Sequence, residues 1–141
     1  MPSNRLPPCS SQSGFTLVEV LVAVIILSIG LLGLAGLQAA AIRANDSSYQ
    51  RSQAAMLAYS IADSMRANRP AVLTGGYDTD CTSPANADLT NWCTTVSTAL
   101  PGGTGSITRV TNTFRVTITV QWNDLRAGGP SNQQFVIATQ I

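Results

Sequence analysis

The chain has 141 residues, a net charge of +1 and no histidine. Its eight basic residues are all arginines, and they are scattered, so the chain lacks the basic surface that nucleic-acid binding requires. Without lysine or histidine it also lacks the usual general bases, Schiff-base amines and imidazole metal ligands. The composition disfavours an enzyme without excluding one, and it predicts no cofactor, no metal and no nucleic-acid contact.

The chain opens on a polar stretch and then becomes apolar. Residues 1–14 contain Arg5 and three prolines, which predicts a soluble leader and not a folded element. Residues 15–37 carry one charge, Glu19. At about 1.5 Å per residue, a helix of that length reaches roughly 34 Å, enough to cross a bilayer. Its three glycines lie near one face: Gly30, Gly33 and Gly36. They indicate helix–helix contact or ordinary membrane-helix glycines, or else a segment that softens in an assembled fibre.

The helix is predicted to continue through residues 38–69, because Ala39 to Arg69 contains neither glycine nor proline. Pro70 cannot continue a helix and biases Arg69 away from helical geometry, so the helix should end near Asn68. One face of this amphipathic half is predicted to pack on the folded part of the chain, because apolar residues recur on it at helical spacing: Ala54, Leu57, Ala58, Ile61, Ala62 and Met65.

Residues 70–106 predict a long irregular loop, since Gly75-Gly76, Pro84 and Pro101-Gly102-Gly103 interrupt them. Cys81 and Cys93 lie within this segment. A disulfide between them would close about 13 residues and stabilise the fold by up to ~3 kcal/mol. Two free thiols or a metal site are the alternatives, although the spacing fits no standard zinc pattern.

Residues 107–141 predict a small antiparallel sheet. From Phe114 to Trp122, apolar and polar residues alternate, the period of a half-buried strand. Gln133 to Ile141 predicts a second strand, and Ile107 to Thr111 a weaker third. Two or three strands laid against the helix stripe give an α+β fold: a long N-terminal helix packed on a small β-sheet head.

The sequence Gly14-Phe15-Thr16-Leu17-Val18-Glu19 runs directly into the apolar segment. An ordinary secretory signal is cut after its apolar region, and Ala39-Ala40-Ala41 would suit such a cut. Two features oppose it: the apolar run is longer than the usual signal core, and an acid at membrane depth costs up to about 3 kcal/mol. Glu19 is therefore predicted to be functional, with snorkelling to the nearby interface as the alternative.

The stretch GFTLVEVLVAVIILSIGLLGLAGLQ resembles the N-terminus of type IV pilins and pseudopilins. This resemblance implies the pilin fold, cleavage between Gly14 and Phe15 by a prepilin peptidase, and N-methylation of Phe15. Glu19 matches the acidic assembly residue of that family. The implied partners are other minor and major pilins through the N-terminal helix, the prepilin peptidase, inner-membrane lipid and the pilus assembly platform. Cutting after Gly14 also removes Cys9, which leaves one cysteine pair for an oxidising compartment.

Within the family, the runs Leu27–Gln38 and Ala58–Arg69 resemble the PilV group of minor pilins. That implies a bacterial inner-membrane protein with one membrane pass and a periplasmic head, which enters the pilus and promotes its assembly. Many major pilins have a proline partway along the membrane helix, where this chain has Gly36. A minor pseudopilin of a type II secretion system shares the leader and stalk. A secreted binding domain with an ordinary signal peptide is the alternative of another class.

Overall fold

The structure is a computed structural model that describes residues 14–141, so Cys9 and the rest of the predicted leader before Gly14 lie outside the described residues. The chain divides into two compact units, Met1–Ala39 and Ala40–Ile141. The fold is α+β, as predicted. In chain order, the elements are α1 (Leu17–Ala67), α2 (Arg69–Leu73), α3 (Ala87–Ala99), β1 (Thr104–Arg109), β2 (Arg115–Trp122), a 3₁₀ turn (Leu125–Ala127) and β3 (Gln133–Gln140).

The C-terminal half of α1 buries one stripe of small and apolar side chains. Its stripe joins one core cluster with residues of α3 and the sheet, and Leu57 packs at the cluster's margin. This confirms the stripe predicted from helical spacing. The fully buried members are Ala54, Ala58, Ile61, Ala62 and Met65.

A break between α1 and α2 falls where the sequence placed the helix end. α1 stops at Ala67, and α2 begins at Arg69 with Pro70 in its first turn. A proline there removes no hydrogen bond, because the first helical N–H groups have no partner within the helix. The expectation that Arg69 leaves helical geometry is therefore wrong, since Arg69 opens a second short helix.

The predicted irregular loop at residues 70–106 is wrong in its centre, where α3 forms. Asn86 caps this helix, because its side-chain oxygen accepts a hydrogen bond from the Leu89 amide at 2.9 Å. Leu89, Trp92 and Val96 are buried at the spacing of one helical face. The glycines and prolines that predicted a loop lie only outside α3, so they mark its boundaries and say nothing about its interior.

The sheet has three antiparallel strands in the order β1-β2-β3. β2 alternates as predicted and buries Val116, Ile118, Val120 and Trp122 on its inner face. β1 begins at Thr104, earlier than the predicted sheet boundary at residue 107.

Gly105 explains how α3 approaches β1. A Cβ atom at this position would collide with the Trp92 ring. The ring also donates its Nε1 hydrogen to the Leu57 carbonyl oxygen at 2.9 Å. Trp92 therefore joins α3 to both β1 and α1, and only glycine leaves room for it.

Both ends of the sheet are bonded to α1 or α2. At one end, Ser47 Oγ donates to Asp124 Oδ2 at 2.7 Å. At the other, Arg69 donates to the Ile141 carbonyl oxygen at 2.8 Å, and its guanidinium lies 4.5 Å from the centre of the Phe114 ring. These contacts fix the β2–β3 loop and the β1–β2 turn at opposite ends of the second unit.

Candidate functional site

The start of α1 is built around Thr16. Gly14, Phe15 and Thr16 precede the helix and are exposed. The Thr16 hydroxyl oxygen accepts a hydrogen bond from the Glu19 amide at 3.3 Å, and the Thr16 carbonyl oxygen accepts from the amides of Glu19 at 3.1 Å and Val20 at 3.3 Å. Threonine is a favoured residue at this position because its side chain satisfies an amide that has no partner inside the helix. The proposed cleavage point therefore lies in non-helical chain immediately before a capped helix.

Thr16 and Glu19 match the spacing of a capping box, in which the threonine caps the helix and the acid stands three residues later. The sequence analysis did not predict the Thr16 cap, although the Thr-x-x-Glu spacing indicates one. Glu19 also lies in the first turn, where the positive end of the helix dipole favours a negative charge. Within residues 14–141, however, its carboxylate makes no hydrogen bond and no salt bridge. The Thr16 cap binds the backbone amide of Glu19 and not its side chain, so within residues 14–141 the carboxylate is left free to bind a cation.

The helix that follows is long and apolar enough to cross a membrane. Its most apolar 18-residue window has a mean hydropathy of 2.8, and none of that window is buried in the protein. No charged residue occurs between Glu19 and Arg43. Ser28 donates its hydroxyl hydrogen to the Val24 carbonyl oxygen at 2.7 Å, so its polar group is satisfied within the helix. An apolar surface of this size calls for lipid or other helices around it.

The three glycines of this segment all lie inside α1. A Cβ atom added at Gly30, Gly33 or Gly36 would meet nothing within 4 Å. The described chain itself therefore gives no packing reason for glycine at these positions.

Cys81 and Cys93 are joined in a disulfide, with 5.6 Å between their Cα atoms. Cys93 belongs to α3, so the bond ties the preceding segment to that helix. The same segment is turned by Asp80, whose carboxylate accepts hydrogen bonds from the amide and hydroxyl of Thr82 at 3.0 and 2.6 Å. These bonds lower the pKa of Asp80 below its ordinary value of 3.8. The disulfide therefore secures α3 rather than a long structureless loop.

The comparisons with known proteins support the interpretation of the N-terminal motif. A family model described as the prokaryotic N-terminal methylation motif matches residues 9–35, which include Gly14, Phe15 and Glu19. Neither a curated protein nor a solved structure matches the chain. Proteins that carry this motif are structural subunits and not enzymes. The chain therefore carries, at residues 9–35, the motif of the type IV pilin-like proteins and pseudopilins that prepilin peptidase processes.

Proposed function

We propose that this chain is a minor pilin, made as a prepilin, anchored in the bacterial inner membrane and incorporated into a type IV pilus whose assembly it promotes. The proposal rests on the order of the segments along the chain. The predicted cut between Gly14 and Phe15 lies before the exposed apolar helix and not after it, and the matched motif spans both the cut and most of the apolar segment. A peptidase that cuts before the apolar segment leaves the anchor on the mature protein, as a polymerising subunit requires.

In this proposal, the peptidase cuts between Gly14 and Phe15 and methylates the new amine of Phe15. Cleavage creates a positive charge at the start of the apolar helix. Glu19, whose carboxylate has no partner within residues 14–141, supplies the matching negative charge in an assembled bundle. An unpaired charge buried among apolar helices costs several kcal/mol, so pairing the two favours assembly.

The second unit would stand in the periplasm while the chain is held in the membrane. Its partners would be other minor and major pilins through α1, together with the pilus assembly platform. The resemblance of the runs Leu27–Gln38 and Ala58–Arg69 to the PilV group supports a role in initiating assembly. Motility, adhesion or DNA uptake would then depend on the chain through the pilus.

The mature N-terminus tests the proposal. We would extract the protein from membranes of cells with an active prepilin peptidase and determine its intact mass and N-terminal sequence. We expect a chain that begins at Phe15 and carries one methyl group, and the uncut chain in matched cells without the peptidase. A start near Ile42 would identify an ordinary signal peptide and a secreted domain. The uncut chain as the sole species in both cell types would refute processing.

A minor pseudopilin of a type II secretion system has the same leader and stalk, so processing does not distinguish it from a pilin. Deletion of the coding sequence distinguishes a minor pilin from a minor pseudopilin. A minor pilin predicts fewer surface pili and reduced twitching motility, with normal export of type II substrates. Normal piliation and twitching motility with reduced export of type II substrates would assign the chain to the secretion system.

A further inference from the structure

The two edges of the three-stranded sheet differ in what covers them. At the β1 edge, Thr79 and Ile107 exchange two backbone hydrogen bonds of 3.1 and 2.8 Å. Two residues along the strand, the Arg109 amide donates to Asp78 Oδ1 at 3.1 Å. The segment before the disulfide therefore covers this edge and binds the amides that point away from β2.

β3 forms the other edge, since β2 pairs with it on one side in the order β1-β2-β3. The Ile141 amide donates to the Phe114 carbonyl oxygen at 2.9 Å, so the odd-numbered residues of β3 turn their backbone groups towards β2. The even-numbered residues Gln134, Val136 and Ala138 turn theirs outward. Among residues 14–141, these three residues have no hydrogen bond to their outward backbone amides or carbonyl oxygens.

β3 also lacks the features that keep an exposed strand from pairing with another chain. Edge strands are commonly protected by charged side chains, proline or a bulge. Gln133–Gln140 contains no charged residue and no proline. Each of its eight residues has one partner in β2, so the strand has no bulge. The edge is therefore suited to the addition of a further strand.

The side chains of β3 define the strand that would fit. Phe135 and Ile137 lie on the core face, are half-buried and pack at the margin of the core cluster. Val136 lies on the other face and is 54 % exposed. A neighbouring strand would complete the cover of Phe135 and Ile137 by placing apolar side chains at every second position. A charged residue opposite β3 would find no counter-charge there.

We propose that the β3 edge binds an extended, uncharged segment of a different protein chain, with apolar side chains at alternate positions, as a fourth strand of the sheet. The outward amides and carbonyl oxygens of Gln134, Val136 and Ala138 hold its backbone. The inference rests on the proposed function for the source of this chain, which is another subunit of the same complex. The contact adds a sheet interface to the packing of α1.

A second copy of this chain fits the edge less well. Its β1 edge is covered, which leaves its β3 as the strand to pair. The helices lead from the Ser47–Asp124 bond near the start of β3 to the Arg69–Ile141 bond at its end, in the direction of β3. Antiparallel pairing of two β3 strands would therefore run the two α1 helices in opposite directions, whereas subunits packed helix to helix in one fibre run the same way. Parallel pairing would place Phe135 of the two copies on opposite faces of the joined sheet.

Amide hydrogen exchange with residue-level fragmentation tests the added strand. The full chain would be compared alone in detergent and in the complex that co-purifies with it from membranes of the cells that make it. We expect the amides of Gln134, Val136 and Ala138 to exchange at least about tenfold more slowly in the complex. The Ile107 amide, already bonded to Thr79, is the matched reference and should not change. Unchanged exchange at the three β3 amides would overturn the proposal, as would a complex that contains no other chain.

Val136→Pro and Val136→Ala separate the backbone from the side chain. Proline at position 136 removes an outward amide and no bond to β2, and edge strands tolerate proline there. Added-strand pairing predicts that Val136→Pro lowers the recovery of the partner chain by about tenfold, with Val136→Ala close to the unsubstituted chain. Urea midpoints check that both variants fold, and Ala138→Pro at the next outward amide replaces Val136→Pro if it does not. Equal recovery with the proline and alanine variants would overturn the proposal.

Intact mass and N-terminal sequence of the chain in the same complex separate this inference from the proposed function. A chain that does not begin at Phe15 would refute the proposed processing, while slow exchange at β3 would still support the added strand. A chain that begins at Phe15, in a complex where β3 exchanges quickly, would overturn the added strand alone. Slow exchange at these amides in the purified chain by itself would assign the edge to a second copy and overturn the choice of a different chain.

Discussion

Ser47 on α1 and Asp124 in the β2–β3 loop are 77 residues apart in sequence and share a 2.7 Å hydrogen bond. Within the described chain, the other carboxylate oxygen of Asp124 is buried without a hydrogen-bond partner. Ser47 is therefore the side chain that makes burial of this carboxylate tolerable.

Ser47→Ala should lower the free energy of unfolding by about 1–3 kcal/mol, since it leaves a buried acceptor unsatisfied. Ser48→Ala is the matched control, because among residues 14–141 the exposed Ser48 hydroxyl bonds only to the Ala44 carbonyl oxygen of its own helix. Urea denaturation in detergent, followed by the fluorescence of the buried tryptophans, measures both variants. Equal midpoints for the two would show that the Ser47–Asp124 bond contributes nothing to stability.

The disulfide is expected to stabilise the second unit without affecting the anchor. Replacing both Cys81 and Cys93 with serine should lower the free energy of unfolding by up to ~3 kcal/mol, because the unfolded chain gains freedom. Both cysteines belong to the second unit, so the yield in the membrane fraction should not change. Non-reducing peptide mapping of the unsubstituted protein checks the bond itself. Two freely alkylated thiols in periplasm-exposed material would contradict it.

Glu19 gives its backbone amide to the Thr16 cap and carries a free carboxylate, and two variants separate the cap from the charge. Glu19→Gln keeps a side chain that suits the third position of a capping box but removes the charge. Thr16→Ala removes the cap and keeps the charge. If Glu19 acts in assembly, Glu19→Gln should abolish incorporation into pili, because the amine of Phe15 loses its counter-charge. Thr16→Ala should retain most of the wild-type incorporation into pili.

Sheared fibres and pull-down of the other minor pilins measure incorporation of both variants. Membrane levels of each variant serve as the control for insertion, which Glu19→Gln should leave intact. If Glu19→Gln entered the fibres at the wild-type level, the charge of Glu19 would have no part in assembly. Glu19 would then be a charged side chain that snorkels to the nearby interface.

Gly14 is expected to set the size limit at the cleavage point. Gly14→Arg should block processing, because a bulky charged side chain stands next to the bond to be cut. Gly14→Ala should be tolerated by a peptidase that needs a small residue. Intact-mass measurement of both variants from the same cells distinguishes cut from uncut chain. Full processing of Gly14→Arg would show that the peptidase does not recognise this residue.

The free energy of unfolding is expected to fall at alkaline pH because Tyr77 is buried. Burial raises the pKa of Tyr77 above its ordinary value of 10.0, and Asp88, which accepts its hydroxyl hydrogen at 2.6 Å, raises this pKa further. The unfolded chain therefore releases the phenol proton at a lower pH than the folded chain does. The stabilising contribution is complete below about pH 10 and is lost as the pH rises through the folded pKa.

Urea midpoints measured near neutral pH and above pH 10 test this prediction. The unsubstituted chain should lose stability between the two conditions, and Tyr77→Phe should lose less, since it has no phenol there to ionise. Tyr59→Phe, at an exposed tyrosine of α1, is the control for removing a hydroxyl. An unchanged pH slope in Tyr77→Phe would contradict the assignment.

Elements whose burial repeats along the chain were predictable from the sequence. The stripe from Ala54 to Met65 and the alternation of β2 each place like residues at the period of their own element. The apolar segment was predictable from its length and its lack of charge. α3 was also encoded locally, by the Asn86 cap and the spacing of Leu89, Trp92 and Val96. The loop prediction missed it because the glycines and prolines lie outside Ala87–Ala99 and carry no information about the interior of α3.

The sequence by itself determined the order of the parts: a polar stretch, the motif that runs into the apolar segment, an amphipathic helical half and an alternating β-strand. These are local properties, since periodicity and motif spacing involve residues close together in the chain. Only the tertiary structure decided that Ser47 holds Asp124, that Trp92 covers Gly105 and that Arg69 meets Phe114. The partners in such pairs are brought together by packing, and no repeating pattern links their positions in the sequence.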